Sequence, residues 1–331
     1  MELRRIGEFG LIEKIARIAG GGFSDVIAGI GDDAAVLRIS TKKCLLVTTD
    51  TLIEGIHFQS SYTTPFLLGK KSIAVNLSDI AAMGGTPFCF VASLSIPPHT
   101  PYKFIHQLYQ GMISGARAFG ASLVGGDTTR CPQRVVISIT LLGVTEPDRV
   151  IYRHGARPGD GIYVTGFIGD AALGLALIKQ RKKSARFRSL IEKQINPTPR
   201  IREGTTISRM RLASSMIDIS DGLVGDLRHI IKQSHTGARI WLNRLPLSPL
   251  YQQHWRDGAR QRYELALSGG DDYELLFTVP PDRQHRITEL QRACDIPITC
   301  IGEITARKGR ITVFDDQNKE ITCRQEGFTH F

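Results

Sequence analysis

The sequence predicts an α/β protein of two domains, in which helices are layered on sheets. Two observations lead to this prediction: the chain has 331 residues, which exceeds one ordinary domain, and strand-like segments alternate with helix-like segments. A hydrophobic content of 42% and a charged content of 22% fit a folded chain with substantial cores. We expect one α/β domain over residues 1–148 and a second over residues 149–331.

Hydrophobic periodicity and capping signals predict the elements of the first half. The first 21 residues have the pattern of an amphipathic helix and lack the apolar stretch of a signal peptide. Residues 65–83 predict a helix, because Pro65 suits its first turn and two glycines follow it. The other predicted elements are strands over 44–50, 88–96, 121–124 and 134–146 and a helix over 102–119.

The second half begins after a break near residues 146–148. A turn and a strand within 157–166 lead into a helix from about Gly169. The glycine-rich turn in GFIGDAALG has two interpretations, a phosphate-binding helix start or a tight reversal from strand to helix. Further predicted elements are a strand over 215–220, a helix over 223–235, and strands over 238–242, 273–279 and 298–304.

Charge and cysteine usage exclude several classes of function. The net charge of +10 is concentrated in residues 179–211, which we interpret as a solvated helical face plus a linker, with a phosphate-attracting rim as the alternative. No zinc-finger, homeodomain or RNP pattern occurs, so we expect no nucleic-acid partner. No apolar run approaches ~18 residues, so we expect no membrane span. The six cysteines form no C-x-x-C pair, which favours a reduced cytoplasmic compartment.

Aspartates that follow predicted strands, or lie in an apolar helix, are the most informative residues. If they converge, each pair ~4 Å apart costs on the order of 4 kcal/mol at an effective dielectric near 20. Hard divalent cations would relieve this repulsion, and oxygen-only ligands favour Mg²⁺ over zinc. The alternative is that each aspartate caps a helix or fixes a turn. These residues are Asp33, Asp50, Asp79, Asp127 and Asp218.

Clustered magnesium carboxylates typically serve phosphoryl chemistry. The usual nucleotide signatures are nevertheless missing from this sequence, since it has no G-x-x-x-x-G-K-[ST], no G-x-G-x-x-G after a strand and no protein-kinase set. An ATP enzyme of this kind would therefore hold phosphates mainly through metal ions.

Eight segments stand in order along the chain: GIGDDAAV, TTDTLIEGIHF, AVNLSDIAAMGGTP, LVGGDTTR, YVTGFIGDAALGL, IDISDGLVGDL, LSGGDDYELLFTV and GFTHF. Together they resemble the thiamine-monophosphate kinase family, within the superfamily of aminoimidazole ribonucleotide synthetase and selenophosphate synthetase. The resemblance spans about residues 7–331. It implies an N-terminal α/β domain that dimerises through its sheet, an adjacent C-terminal α/β domain, and a shared cleft for ATP and several Mg²⁺ ions.

The resemblance also implies site residues. Its metal positions correspond to Asp33, Thr48, Thr49, Asp50, Asp79, Asp127, Asp218 and Asp221. Its nucleotide contacts correspond to Tyr109, Gly126, Asp127, Arg153 and Ser220. Its substrate contacts correspond to His57, Asp271 and Phe328. The family usually has Glu at position 271, so this chain departs from it by one methylene.

The implied reaction is direct in-line transfer of the γ-phosphoryl group of ATP to thiamine monophosphate, giving thiamine diphosphate. The attacking phosphate has a second pKa near ~6 and is largely dianionic at neutral pH, so neither a covalent nucleophile nor a strong base is needed. Arg153 would add positive charge at the phosphates and His57 would shape the pyrimidine end. Asp271 would hydrogen-bond the aminopyrimidine or offset the thiazolium charge, and Phe328 would lie against the thiazolium ring.

Two competing functions remain. The first is a sister synthetase of the same superfamily, although a selenophosphate synthetase typically needs a reactive Cys in a glycine-rich N-terminal segment. Here the first cysteine, Cys44, lies inside a predicted strand. The second and less favoured is a basic nucleic-acid-binding protein, whose binding would depend on residues 179–211 and on salt.

Overall fold

The computed structural model describes residues 3–20, 24–182, 184–255 and 261–321. Its strands form two mixed sheets with helices packed on them, which confirms the predicted α/β layers. The turn of 3₁₀ helix at Pro147–Arg149 lies between the last strand of the first sheet and the first strand of the second. Within the described residues, no helix combines the length and the apolar character needed to cross a bilayer.

The first sheet has the strand order β1-β2-β3-β6-β4-β5. Neighbouring strands are antiparallel except for β4 and β5, which run parallel. Strand β5 forms one edge, and nearly all of its residues are exposed. The strands are β1 (Val26–Ala28), β2 (Ala35–Arg38), β3 (Cys44–Ile53), β4 (Thr86–Ile96), β5 (Ser122–Arg130) and β6 (Val136–Thr145).

The described part of the first half has three helices, α1 (Leu3–Ala19), α2 (Pro65–Ala82) and α3 (Tyr102–Arg117). Helix α2 is apolar around most of its circumference and is buried along most of its length. The Thr64 hydroxyl caps it by accepting a hydrogen bond from the Leu67 amide. Helices α2 and α3 meet at glycines: a Cβ atom on Gly69 would lie 2.0 Å from the carbonyl oxygen of Leu108.

The second sheet has the strand order β13-β12-β9-β11-β7-β10-β8. Its central strands β7 and β10 are buried on both faces. The strands are β7 (Gly161–Thr165), β8 (Ser215–Asp218), β9 (Gly237–Trp241), β10 (Leu275–Val279), β11 (Ile298–Thr305), β12 (Ile311–Phe314) and β13 (Glu320–Ile321). The helices are α4 (Asp170–Lys179), α5 (Arg188–Ile195), α6 (Ile201–Arg209), α7 (Leu223–Gln233), α8 (Pro249–His254), α9 (Gln261–Ser268) and α10 (Ile287–Cys294).

One hydrophobic core is continuous between the two sheets. It joins Met83 at the end of α2 to Ile207 of α6, Phe277 of β10 and Leu290 of α10, all of them fully buried. A second core fills the other face of the second sheet, around α4 and α7. Because α2 contributes to the core shared by both sheets, side chains on its surface can reach residues of the second half.

The basic stretch 179–211 differs from its sequence interpretation. The guanidinium of Arg200 is paired with the Glu274 carboxylate, with Nε 2.6 Å from Oε2, and the Glu274 side chain is only 1% exposed. Lys193 Nζ lies 3.4 Å from the same carboxylate, and the Thr165 hydroxyl donates to it at 2.7 Å. The interpretation as a solvated face with a linker is therefore wrong at Lys193 and Arg200.

Replacing Arg200 with Met is expected to destabilise the protein by about 3 kcal/mol, because it leaves the buried Glu274 carboxylate without its main partner. The matched control is Arg211→Met, since Arg211 pairs with Asp148 at an exposed position in the same stretch. That change should cost no more than about 1 kcal/mol. Urea unfolding of both variants measures the difference, and equal losses would contradict the distinction between the two pairs.

Candidate active site

Three carboxylates converge where the two halves of the chain meet. Asp33 precedes β2, Asp79 lies near the end of α2 and Asp218 is the last residue of β8. Each offers one oxygen, and the three oxygens lie within 4.8 Å of one another. Asp33 Oδ2 is buried and makes no hydrogen bond among the described residues. Three hard oxygen donors, one of them unsatisfied, fit a hard divalent cation such as Mg²⁺.

Strand β3 adds two side chains to this acidic cluster, by which we mean Asp33, Asp50, Asp79 and Asp218. The Thr48 hydroxyl donates to Asp79 Oδ2, and Asp50 shares a hydrogen bond with Asp79. Asp50 lies within the strand rather than at its end, because β3 continues to Ile53. Alternation along the strand sends Thr49 to the opposite face, where its hydroxyl donates to the Ile139 carbonyl at 3.0 Å. The Thr49 side chain therefore does not join the cluster.

The acidic cluster holds protons when no cation is present. Burial raises the pKa of Asp50 to about 6 and that of Asp218 to about 8, and the charge of Asp33 adds to both shifts. Burial, together with the charges of Asp50, Asp218 and Asp33, raises the pKa of Asp79 well above its usual range. A cation bound there would displace these protons, because it favours the ionised carboxylates.

Arg153 is the cationic side chain that directly contacts the acidic cluster in the described part of the chain. Its Nη2 and Nε atoms lie 2.6 and 3.1 Å from Asp33 Oδ1. Its backbone amide donates to the carboxylate of Asp32, whose pKa is raised to about 7 by burial and by the charge of Asp33. The predicted nucleotide residue Arg153 therefore lies at the cluster, with its charge fixed beside Asp33.

The loop after β8 carries two further predicted residues, Ser220 and Asp221. Asp226 Oδ2 accepts hydrogen bonds from the amides of Ser220, Asp221 and Gly222 at 3.1, 3.2 and 3.1 Å. This carboxylate fixes the course of the loop that carries Asp221, three residues after Asp218. Asp226 was not among the predicted site residues, although it lies within the motif IDISDGLVGDL, three residues after the predicted start of a helix.

Three predicted nucleotide residues do not join the cluster within one chain. Gly126 and Asp127 lie inside the exposed edge strand β5. Gly126 pairs with Ala92, which pairs with Ile139, which pairs with Asp50. Three strand spacings of about 4.8 Å therefore separate them from β3. Tyr109 on α3 is half-buried against the first core.

The predicted substrate residues fall in two places. Asp271 accepts hydrogen bonds from Lys71 Nζ at 3.0 Å, from Gln194 Nε2 at 2.8 Å and from the Tyr273 hydroxyl at 2.8 Å. His57 lies in the turn after β3, where its Nδ1 accepts a hydrogen bond from the Ile53 amide. This bond leaves the proton of the neutral ring on Nε2. Phe328 lies outside the described residues.

The start of α4 resolves the two interpretations of GFIGDAALG. The amides of Gly169 and Ala171 donate to the Asp272 carboxylate at 2.6 and 3.2 Å. A protein carboxylate therefore occupies the position that a phosphate would take at this helix N-terminus. The structure favours a tight reversal from strand to helix.

Comparison with known proteins identifies relatives along nearly the whole chain. The family models "AIR synthase related protein" match in an N-terminal domain at residues 31–145 and a C-terminal domain at residues 157–314. The thiamine-monophosphate kinases of Escherichia coli K12 and Salmonella typhimurium are 39% and 38% identical over 328 residues, which is 98% of this chain and 98% of each relative. A solved structure titled "AaThiL complexed with AMPPCP and TMP" matches with a TM-score of 0.86 and 34% identity, covering 100% of this chain and 99% of that one.

The raised pKa values of Asp50 and Asp218 predict a pH-dependent effect of Mg²⁺ on stability. The folded state binds more protons than the unfolded state, so the contribution of these groups is complete below pH 4 and is lost as pH rises through 6 and 8. In EDTA the melting temperature should therefore fall over this range. At pH 8.5, Mg²⁺ should raise it by about 3 °C or more, with little effect at pH 5.

Differential scanning fluorimetry with EDTA and with MgCl₂, at matched ionic strength, measures this difference. Titration of groups outside the cluster changes the melting temperature equally in EDTA and in MgCl₂, so its effect cancels in the difference. Asp79→Asn should abolish most of the Mg²⁺ effect, whereas Asp148→Asn, an exposed carboxylate, should retain it. A Mg²⁺ effect of the same size at pH 5 and at pH 8.5 would contradict the assignment.

Proposed function

Because the chain belongs to the AIR synthase related protein family and matches thiamine-monophosphate kinases along nearly its whole length, we propose that it phosphorylates thiamine monophosphate. ATP is the phosphoryl donor, and thiamine diphosphate and ADP are the products. The observation that carries the proposal is the convergence of Asp33, Asp79 and Asp218 within 4.8 Å, in a fold that matches a solved relative complexed with AMPPCP and TMP.

Mg²⁺ is the cation that we assign to the acidic cluster. Asp33, Asp50, Asp79 and Asp218 would hold it, with Asp221 and Thr48 as further proposed positions. The Thr49 side chain is not among them, because it lies on the opposite face of β3. A Mg²⁺ ion held by these residues would supply positive charge to neutralise the phosphates and stabilise the transferring group. Buried carboxylates with raised pKa values and an unsatisfied Asp33 oxygen support this assignment.

The reaction needs little acid–base chemistry from the chain. A dianionic phosphate oxygen of thiamine monophosphate attacks the γ-phosphorus of ATP in line, and the bond to the β,γ-bridging oxygen breaks as ADP leaves. No residue is assigned as a covalent nucleophile or an obligatory base. What the chain supplies is orientation and exclusion of water, which can contribute several kcal/mol to the lowering of the barrier.

Arg153 and the loop after β8 are the proposed nucleotide contacts in this half of the site. The guanidinium of Arg153 is held beside Asp33 and is preorganised for a phosphate oxygen. Ser220 lies in the loop that Asp226 fixes. Both groups flank the acidic cluster, which supports placing the ATP phosphates there.

We propose that two copies of the chain pair through the first sheet. Strand β5 presents nine residues at an exposed sheet edge, and exposed apolar side chains accompany it, including Val124 at 64% and Phe88 at 59%. Exposed edges of this length are normally covered in native proteins. Tyr109, Gly126 and Asp127 remain proposed nucleotide and metal residues on this side of the sheet.

We place the domain boundary near residue 148, where a short 3₁₀ helix separates the sheets.

A reduced, cytoplasmic compartment agrees with the state of the thiols. The cysteines within the described residues are free, namely Cys44, Cys89, Cys131, Cys294 and Cys300. Free thiols in a chain of this size are typical of reducing compartments.

Two observations disfavour the competing functions. Cys44 is fully buried in β3 and so cannot serve as the exposed reactive thiol of a selenophosphate synthetase. Lys193 and Arg200, within the basic stretch, are paired with the buried Glu274 and are not free to contact a nucleic acid. A sister synthetase activity remains the alternative that a product assay distinguishes.

Incubating the purified protein with ATP, MgCl₂ and thiamine monophosphate should give thiamine diphosphate and ADP in equal amounts. Chromatographic separation of the products quantifies both. Formation of ADP and free phosphate without thiamine diphosphate would refute the proposal.

Asp50→Asn should lower turnover at least ~100-fold, because it removes one charge from the group that would neutralise the two phosphates. The control is Asp148→Asn, which changes an exposed carboxylate on the linker and should leave turnover within about twofold. Near-normal turnover of the Asp50 variant would refute the site assignment and leave the reaction itself intact.

A further inference from the structure

Lys71 is a buried lysine that links the two halves of the chain. It lies in the second turn of α2, and its side chain is 6% exposed. Its ammonium group donates to the Gln194 carbonyl at 3.1 Å and to Asp271 Oδ2 at 3.0 Å. A lysine in the first half therefore bonds α5 and the loop before β10, 123 and 200 residues further along the chain.

The carboxylate of Asp271 is held by three hydrogen bonds and remains partly exposed. Asp271 Oδ2 accepts from both Lys71 and Gln194, and Oδ1 accepts from the Tyr273 hydroxyl. The Asp271 side chain nevertheless remains 31% exposed. An ordered carboxylate with part of its surface open is suited to accept a further hydrogen bond from a ligand.

The backbone around this carboxylate is constrained. Asp271 and Tyr273 have φ values of 69° and 50°, in the left-handed region that non-glycine residues rarely adopt. Their amides donate to the carbonyls of Ser220 and Ile219 at 2.8 Å each. The Asp271 loop is thereby joined to the segment that carries Asp218 and Asp221, so its carboxylate has a defined position relative to the acidic cluster.

We propose that Lys71 is a positioning residue that acts through Asp271 to make the thiamine-monophosphate site selective for the 4′-amino group of the pyrimidine. This inference rests on the function proposed above. It assigns a role to Lys71 and Gln194, which the sequence analysis did not single out.

Charge balance decides between the two roles considered for Asp271. Burial alone would raise the pKa of Asp271, but the charge of Lys71 and the hydrogen bonds from Gln194, Tyr273 and Lys71 lower it overall. The carboxylate is therefore ionised, and the adjacent ammonium balances its charge. An electrically balanced pair has little net attraction for the thiazolium cation, but it still presents an oxygen that accepts an N–H from the aminopyrimidine.

Steady-state kinetics of four proteins tests the proposal: wild type, Lys71→Met, Lys71→Arg and Lys70→Met. Lys70 is the adjacent, half-buried lysine on the same helix and serves as the matched control. Lys71→Met should raise the KM for thiamine monophosphate by roughly tenfold and leave the KM for ATP within about twofold, since the change affects only the Asp271 side of the site. Lys71→Arg should recover most of the loss, and Lys70→Met should resemble wild type.

Two further measurements separate positioning from simple stability. In an Asp271→Asn background, Lys71→Met should change the KM for thiamine monophosphate by less than about twofold, because the group it positions is already altered. Wild type should also prefer thiamine monophosphate over its 4′-oxo analogue, and Lys71→Met should lose most of this preference. If Lys71→Met does not fold, Gln194→Leu is the second variant, because it removes one donor to the same oxygen without removing a charge. It should also raise the KM for thiamine monophosphate and weaken the preference over the 4′-oxo analogue, by smaller factors.

The outcomes are distinguishable from those of the proposed function. Suppose that wild type turns over. The role of Lys71 alone is then overturned if Lys71→Met raises the KM values for ATP and thiamine monophosphate equally. It is also overturned if the effects of Lys71→Met and Asp271→Asn on KM are additive in the double variant. Unchanged kinetics of Lys71→Met also overturns it. A wild-type protein that forms no thiamine diphosphate overturns the proposed function and this inference together.

Discussion

Mutual repulsion among buried carboxylates is the constraint on which the rest of the structure depends. Four aspartates from four segments converge, and only one guanidinium, that of Arg153, contacts them directly in the described part of the chain. The fold tolerates this arrangement because protons are retained on the cluster, as the raised pKa values of Asp50, Asp79 and Asp218 indicate. The cluster would be more stable with a cation bound than with protons alone. This difference in free energy would favour cation binding.

Helix α2 connects this site to both halves of the molecule. It supplies Asp79 to the acidic cluster, Ser78 to Asp218, and Lys71 to Asp271. Its last turns lie in the core that continues to α6 and β10. Asp79, which we propose as a cation ligand, and Lys71, which we propose to position Asp271, therefore lie on one helix, so that a displacement of α2 would affect both.

Much of the fold could be predicted from the sequence, because long apolar runs and capping residues are local signals. Strand β3, helix α2 and helix α7 follow from such signals. The short strands β1, β2, β12 and β13 were not predicted, since two to four residues give too little periodicity to recognise. The buried pair of Arg200 and Glu274 is separated by 74 residues in the sequence, so composition alone suggested a solvated face. In the site, the convergence of Asp33, Asp79 and Asp218 was inferred from motif context. The three strand spacings that separate Gly126 and Asp127 from β3 depend on the strand order of the sheet, which no local signal gives.

The glycine contact between α2 and α3 has a consequence for how sequence change at a distance would alter the site. A Cβ atom on Gly69 or Gly111 would lie about 2 Å from backbone oxygens of the facing helix, and backbone cannot yield as a flexible side chain can. Any larger residue there must push α2 and α3 apart, and a shift of α2 would move Asp79 and Lys71 with it. These two glycines therefore set how closely α2 and α3 can approach, although neither belongs to the acidic cluster.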